Sequence, residues 1–203
     1  MPLALLALTI GAFAIGTTEF VIVGLVPDIA EQLAISLPSA GLLVSIYALG
    51  VAIGAPVLTA LTGRMPRKQL LLALMALFTA GNLLAWQAPG YETLVLARLL
   101  TGLAHGVFFS IGSTIATSLV AKEKAASAIA IMFGGLTVAL VTGVPLGTFI
   151  GQHFGWRETF LAVSILGVIA LMSSLILVPN NIPGRVSAGL RAQLKVLTHP
   201  RLL

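Results

Sequence analysis

Three ionisable residues fall inside otherwise apolar runs of this 203-residue chain: Glu19, Arg98 and His105. A carboxylate can take up and release a proton, a guanidinium can neutralise an acid or hold an anion, and an imidazole can do either near neutral pH. Taking an acid out of water favours its protonated form. Glu19 is therefore a candidate for proton coupling or for contact with a solute, and Arg98 and His105 are its candidate partners. His105 follows Arg98 by seven positions, which on a helix returns it to nearly the same face. Two plainer readings stand beside this one. Glu19 and Arg98 can form an ion pair that only fixes helix packing, and His105 can simply hydrogen-bond a backbone carbonyl.

The elements that must position these groups are membrane spans. Hydrophobic residues make up 58% of the chain and charged residues only 8%, against roughly 25% charged in soluble domains. A span needs about 20 largely apolar residues, and six continuous apolar stretches cover 3–26, 39–61, 70–88, 93–120, 125–150 and 159–178. A membrane barrel would show alternating segments of about ten residues, so the expected fold class is all-α with six transmembrane helices. Glu19 lies about seven residues before the outer end of the first span and Arg98 about five after the outer start of the fourth. At about 1.5 Å per residue both sit roughly 8–10 Å below the outer surface, close enough in depth to pair.

Charge supplies the orientation. Arg64, Arg67 and Lys68, then Lys122 and Lys124, then Arg185, Arg191, Lys195 and Arg201 all fall on one side of the predicted bilayer. The other side carries Arg157 with Asp28, Glu31, Glu92 and Glu158. The positive-inside rule then places both chain ends in the cytoplasm. The net charge of +5 reads as topology, so the lipid bilayer is the expected partner and nucleic acid is not. The first stretch is too long for a signal-peptide core and lacks a basic segment before it, so it is expected to stay as a span.

Residues 1–178 form the six-helix part and 179–203 a cytoplasmic linker. Pro179, Asn180, Asn181, Pro183 and Gly184 mark a loop. Leu190, Leu194 and Leu197, with Arg191 and Lys195 between them, fit a short basic amphipathic helix on the membrane surface, with an unstructured linker as the alternative. The fifth span carries a small residue at every fourth position: Gly135, Ala139, Gly143, Gly147 and Gly151. Such a stripe lets another helix approach backbone to backbone, and Pro145 within it predicts a bend. No cysteine is present, and no H-E-x-x-H pair, G-x-S-x-G elbow or Gly-rich phosphate loop occurs. Neither an enzyme nor a cofactor or metal is expected.

Several segments resemble the major facilitator superfamily, in its drug:proton antiporter branch and the group similar to arabinose and other sugar efflux permeases. They are Gly16-Thr17-Thr18-Glu19-Phe20 leading to Pro27-Asp28, the loop Thr62-Gly63-Arg64-Met65-Pro66-Arg67-Lys68, Arg98 with Gly102, Gly143-Val144-Pro145-Leu146-Gly147 and Gly155-Trp156-Arg157. The resemblance implies two six-helix halves, each made of two inverted three-helix repeats, with a cavity between the halves. This chain resembles the N-terminal half, so the implied partners are protons, a small solute and the C-terminal half of the same transporter. Spans one and four would line the cavity, and spans two and five, with the glycine stripe, would face the other half. The implied activity is proton-coupled efflux of a sugar or drug-like solute across a bacterial inner membrane. Gly143, Pro145 and Gly147 would form the antiporter motif of helix five. The family's loop has an Asp where this chain has Gly63 and a Gly where it has Pro66, which leaves Arg64, Arg67 and Lys68 either as a conformational latch or as topogenic charges. Two other readings remain: a truncated or split half without transport activity, and a six-helix unit that dimerises through the span-five stripe.

Overall fold

Within hydrocarbon every backbone N–H and C=O must be satisfied inside its own segment, and the apolar runs of this chain meet that demand as helices. The computed structural model describes residues 2–62 and 65–182. Its elements are α1 (Leu3–Gln32), α2 (Leu37–Thr62), α3 (Arg67–Trp86), α4 (Tyr91–Ser118), a short 3-10 turn (Lys122–Lys124), α5 (Ala125–Val138), a π-helical turn (Ala139–Gly143), α6 (Val144–Phe154) and α7 (Trp156–Leu177). The fifth span comprises α5, the π turn and α6, so there are six membrane-length apolar segments. Among the described residues there is no strand.

Helix one runs to Gln32, past the apolar run and through Pro27, so Asp28 and Glu31 ride on a helical extension. In the fifth span the bend expected from Pro145 takes a specific form. Proline offers no N–H to the preceding turn, and the backbone widens into the π turn immediately before α6, where Pro145 sits in the first turn. Spans five and six are joined by Gly155 alone at φ 100°, a backbone conformation that side chains with a Cβ rarely adopt.

Helix pairing has a two-fold pattern. Helix two packs on helix four as the fifth span packs on helix one; helix three packs on helix four as α7 packs on helix one; and helix three also packs on α7. Exchanging spans one to three with spans four to six maps this set of pairs onto itself, which identifies two three-helix repeats. Spans one, two, four and five touch in a closed cycle, flanked by span three and α7.

Glycines make the two equivalent contacts close. A Cβ on Gly50 would lie 2.6 Å from the Leu99 carbonyl, and one on Gly54 2.7 Å from that of Leu103. On the other side Gly135 abuts Thr9, Gly143 abuts Thr17, Gly147 abuts Val21 and Gly151 abuts Leu25. The paired numbers rise together, so helices one and five run parallel. This corrects the expected destination of the stripe. It faces helix one of the same unit, and Gly147, buried between Val21 and Thr159, offers no surface to a second copy or a second half. The exposed sides of spans two and five are instead their large apolar residues, including Leu49, Ile53, Val141, Leu146 and Phe149.

Lys68 has a local role that the charge count did not suggest. Its Nζ donates to the Leu175 carbonyl (2.8 Å) and to Asn180 Oδ1 (2.9 Å). It thereby satisfies one of the last carbonyls of α7, where a cation is favoured. Lys68→Gln should lower the unfolding free energy by about 1 kcal/mol or less, read as a small shift in a detergent melt. A larger loss would mean that Lys68 carries more than this cap. At the opposite end Arg157 donates to the Ala88 carbonyl (Nη2, 2.8 Å) and lies over the Trp156 ring, tying the end of span three to the start of α7. Arg64 and the amphipathic segment with Leu190, Arg191, Leu194, Lys195 and Leu197 lie outside the described residues.

Candidate functional site

Arg98 is the site's anchor. Helix four buries it to 1% exposure, so its charge must be met by protein. Its Nη1 donates to the Thr18 carbonyl (3.0 Å) and its Nε to the Leu43 carbonyl (3.4 Å). Its guanidinium carbon lies 4.2 Å from the centroid of the Tyr47 ring, within the range of a cation–π contact. Nη2 has no hydrogen-bond partner among the described residues. Thr18 also donates from Oγ1 to Asn82 Oδ1 (2.7 Å), and Asn82 Nδ2 donates to the Phe78 carbonyl (2.8 Å). One guanidinium thus collects spans one, two and four, and through Thr18 reaches span three.

The expected ion pair between Glu19 and Arg98 is absent. The depth argument fixed how far each residue lies along the bilayer normal, but not the rotation of its helix, and the guanidinium is turned toward helix carbonyls and the Tyr47 ring. Glu19 approaches His105 instead, with Oε2 3.8 Å from Nδ1. His105 Nδ1 in turn lies 2.9 Å from the Tyr47 hydroxyl. When Nδ1 is unprotonated it accepts from Tyr47; when it carries a proton it can donate to the Tyr47 oxygen or turn that charge toward Glu19. The three predicted residues are therefore brought together, with Tyr47 joining His105 to Arg98. The expected carbonyl partner of His105 is replaced by a phenol.

Exposure separates the roles these groups can take. The side chains of Glu19 and His105 are 26% and 13% exposed, whereas Arg98 is sealed. Within this unit the acid and the imidazole keep an open edge and the guanidinium does not. The helix-five motif adjoins the same region: Gly143, the last residue of the π turn, abuts Thr17, next to the Thr18 whose carbonyl holds Arg98. Pro145 follows in the first turn of α6, and Gly147 accepts at its carbonyl from Thr159 Oγ1 (2.8 Å). Of the loop residues, Lys68, at the start of α3, is engaged with the end of α7.

Sequence reasoning missed Tyr47, Asn82 and a row of rings on helices four and five. Two signals were available. The chain has only two tyrosines, and a phenol within a span needs a partner for its hydroxyl. Asn82 in the third apolar run carried the same message.

Comparison with known proteins agrees with this architecture. The sequence pattern of the Major Facilitator Superfamily matches residues 8–203. The uncharacterised MFS-type transporter YtbD of Bacillus subtilis is 56% identical over 98% of the chain and 50% of its own length. The inner membrane transport protein YdhP of Escherichia coli K12 is 49% identical over 98% of the chain and 51% of its own length. A chloramphenicol resistance protein of Streptomyces lividans is 37% identical over 100% of the chain and 53% of its own length. The chain spans about half the length of these curated relatives.

Proposed function

The chain belongs to the major facilitator superfamily, and from that premise we propose that it is the N-terminal half of a proton-coupled exporter of a small solute, sugar-like or drug-like, in a bacterial inner membrane. The observation that carries this reading is a partly open carboxylate inside the membrane, Glu19, connected through His105 and Tyr47 to a sealed arginine. Ionisable groups are costly in a membrane, and those that persist there commonly mark ion or solute pathways. Similarity to an inner membrane transport protein and to a chloramphenicol resistance protein supports export and that location. Nine cations on one face support cytoplasmic chain ends.

In this mechanism a proton arriving from outside neutralises Glu19. His105 then loses the anion beside it, and its bond to Tyr47 readjusts. The Tyr47 ring under Arg98 transmits the change to the guanidinium, which holds the Thr18 and Leu43 carbonyls of spans one and two. Protonation thus shifts the balance between two packings of these helices, which is how a local event biases a two-state transporter. The exposed apolar sides of spans two and five, including Leu49, Ile53, Val141 and Leu146, meet the C-terminal half.

The test uses the natural full-length product in proteoliposomes with an imposed pH gradient and a panel of sugars and drug-like solutes. Glu19→Gln should abolish the dependence of flux on the pH gradient, since the glutamine keeps the shape and removes the titration. Gradient-driven flux at the wild-type level in this variant would sink the coupling assignment.

A further inference from the structure

Threonines inside the spans of this chain share a habit. Thr17, Thr79, Thr101 and Thr117 each donate their hydroxyl to the carbonyl four residues earlier in their own helix, at 2.8–2.9 Å. In an apolar setting that is the nearest acceptor, and the extra bond tends to bend the helix that makes it. Thr18 departs from the habit. Fully buried, it donates instead to Asn82 Oδ1 in helix three (2.7 Å).

The Asn82 side of this bond is itself held in place. Its side chain is buried, and Nδ2 donates to the Phe78 carbonyl one turn earlier (2.8 Å). A carbonyl can only accept, so that bond fixes which end of the amide is oxygen and aims it at Thr18. Helix packing does not force the two residues together, because helix three packs on helix four and α7 rather than on helix one. A leucine and a valine would fill the same space, and in hydrocarbon a polar pair is the costlier choice.

What the bond protects lies on the same residue. The Thr18 carbonyl receives Arg98 Nη1 at 3.0 Å, and that oxygen moves with helix one. Thr17 already returns its hydroxyl to the Phe13 carbonyl. A second hydroxyl turning back, from Thr18 onto Ala14, would add to the bend at this turn and carry the Thr18 carbonyl off the guanidinium.

We propose that Asn82 is a positioning residue for the gradient-coupled step: it holds the Thr18 hydroxyl off helix one and thereby keeps the Thr18 carbonyl seated on Arg98. The proposal deepens the transport reading given above, and its effect on flux rests on that reading. Its effect on Arg98 does not. An amide in the third span thus sets the place of a carbonyl in the first, one residue before Glu19.

Three variants of the natural full-length product separate this role from simple packing: Asn82→Leu, the double variant Asn82→Leu with Thr18→Val, and Thr79→Val as a buried control on the same span. The first readout is nitrogen NMR of arginine-labelled protein in nanodiscs, with the Arg98 signals identified by their loss in Arg98→Lys. Asn82→Leu frees the Thr18 hydroxyl and should shift those signals, and the double variant, which has no hydroxyl to turn back, should return them toward wild type. The second readout is the ratio of flux with an imposed pH gradient to flux with the gradient collapsed, over the same panel of sugars and drug-like solutes. That ratio does not depend on how much protein folds. Asn82→Leu should cut it at least about threefold, a partial loss of a hydrogen bond from a charged donor. The double variant should recover it to within about twofold of wild type, and Thr79→Val should leave both readouts unchanged. Arg98 signals that stay put in Asn82→Leu, or a double variant that recovers neither readout, would overturn the proposal, since Asn82 would then be only an anchor for span three. The two readings separate cleanly. Signals that shift and return in a protein whose flux ignores the gradient would sink the coupling and leave the positioning of Arg98, whereas gradient-dependent flux that Asn82→Leu does not alter would sink the role of Asn82 alone.

Discussion

Gly135→Ala should destabilise the protein severely, while Gly134→Ala, one position away, should leave its melting temperature unchanged or slightly raised. The two glycines differ in what stands before them. A methyl group on Gly134 meets nothing within 4 Å, whereas one on Gly135 would sit inside contact distance of the Thr9 carbonyl oxygen. That oxygen is backbone inside helix one, two turns from its start, so relief requires a whole span to move. Overpacking of this kind costs roughly 3 kcal/mol, and more where the neighbour is rigid. At Gly134 the gain is the helix propensity of alanine over glycine, about 1 kcal/mol. Thermal unfolding of the two variants in the same detergent decides the matter. Equal melting temperatures would mean that helices one and five are not packed backbone to backbone at this point.

Arg98→Lys should abolish transport in a protein that still inserts. Lysine keeps the charge but loses the planar group that spreads over Tyr47 and the fork that reaches the Thr18 and Leu43 carbonyls together. A compact ammonium in a site with 1% exposure is also harder to desolvate than a guanidinium. Hydrogen bonds from a charged donor contribute about 1.5–3 kcal/mol each, so losing one of them together with the ring contact removes at least a factor of about 30 in the population of the competent packing. Gradient-driven flux in proteoliposomes, normalised to protein recovered as a monodisperse peak, should fall at least tenfold. Near-normal flux would show that charge alone, and not the stacked geometry, is what helix four needs here.

The spans were legible because burying a backbone in hydrocarbon leaves a strong and simple trace: long apolar runs with cations collected on one side. The depth of Glu19 and Arg98 could be read for the same reason, since rise per residue is fixed. Rotation about the helix axis left no comparable trace. The glycine stripe announced a close contact without naming its partner, and the partner turned out to be Thr9, Thr17, Val21 and Leu25 of helix one. Likewise Arg98 and Glu19 share a level yet do not touch, because their connection depends on Tyr47, a residue from a span in which no ionisable group had drawn attention. The run of ring contacts from Tyr47 through His105 and Phe109 to Phe133 was hidden by composition. Aromatic residues are only 6% of the chain, so their convergence from three helices could not be inferred from abundance.

The π turn at Ala139–Gly143 settles a question of angular phase. A residue repeated every four positions on a regular helix slips about 40° at each step, so a stripe from 135 to 151 would wander about 160° around the axis and leave helix one halfway. The π turn inserts one extra residue into that interval, which reduces the slip to about 60° and lets Gly147 and Gly151 still meet Val21 and Leu25. The winding of this one turn therefore sets the azimuth of everything beyond it. Were it to tighten to ordinary helical winding, α6 would swivel by about 100° as a unit, turning glycines away and bulkier side chains toward helix one. The winding of five residues beside Thr17 thus decides which face of the last third of the fifth span meets helix one.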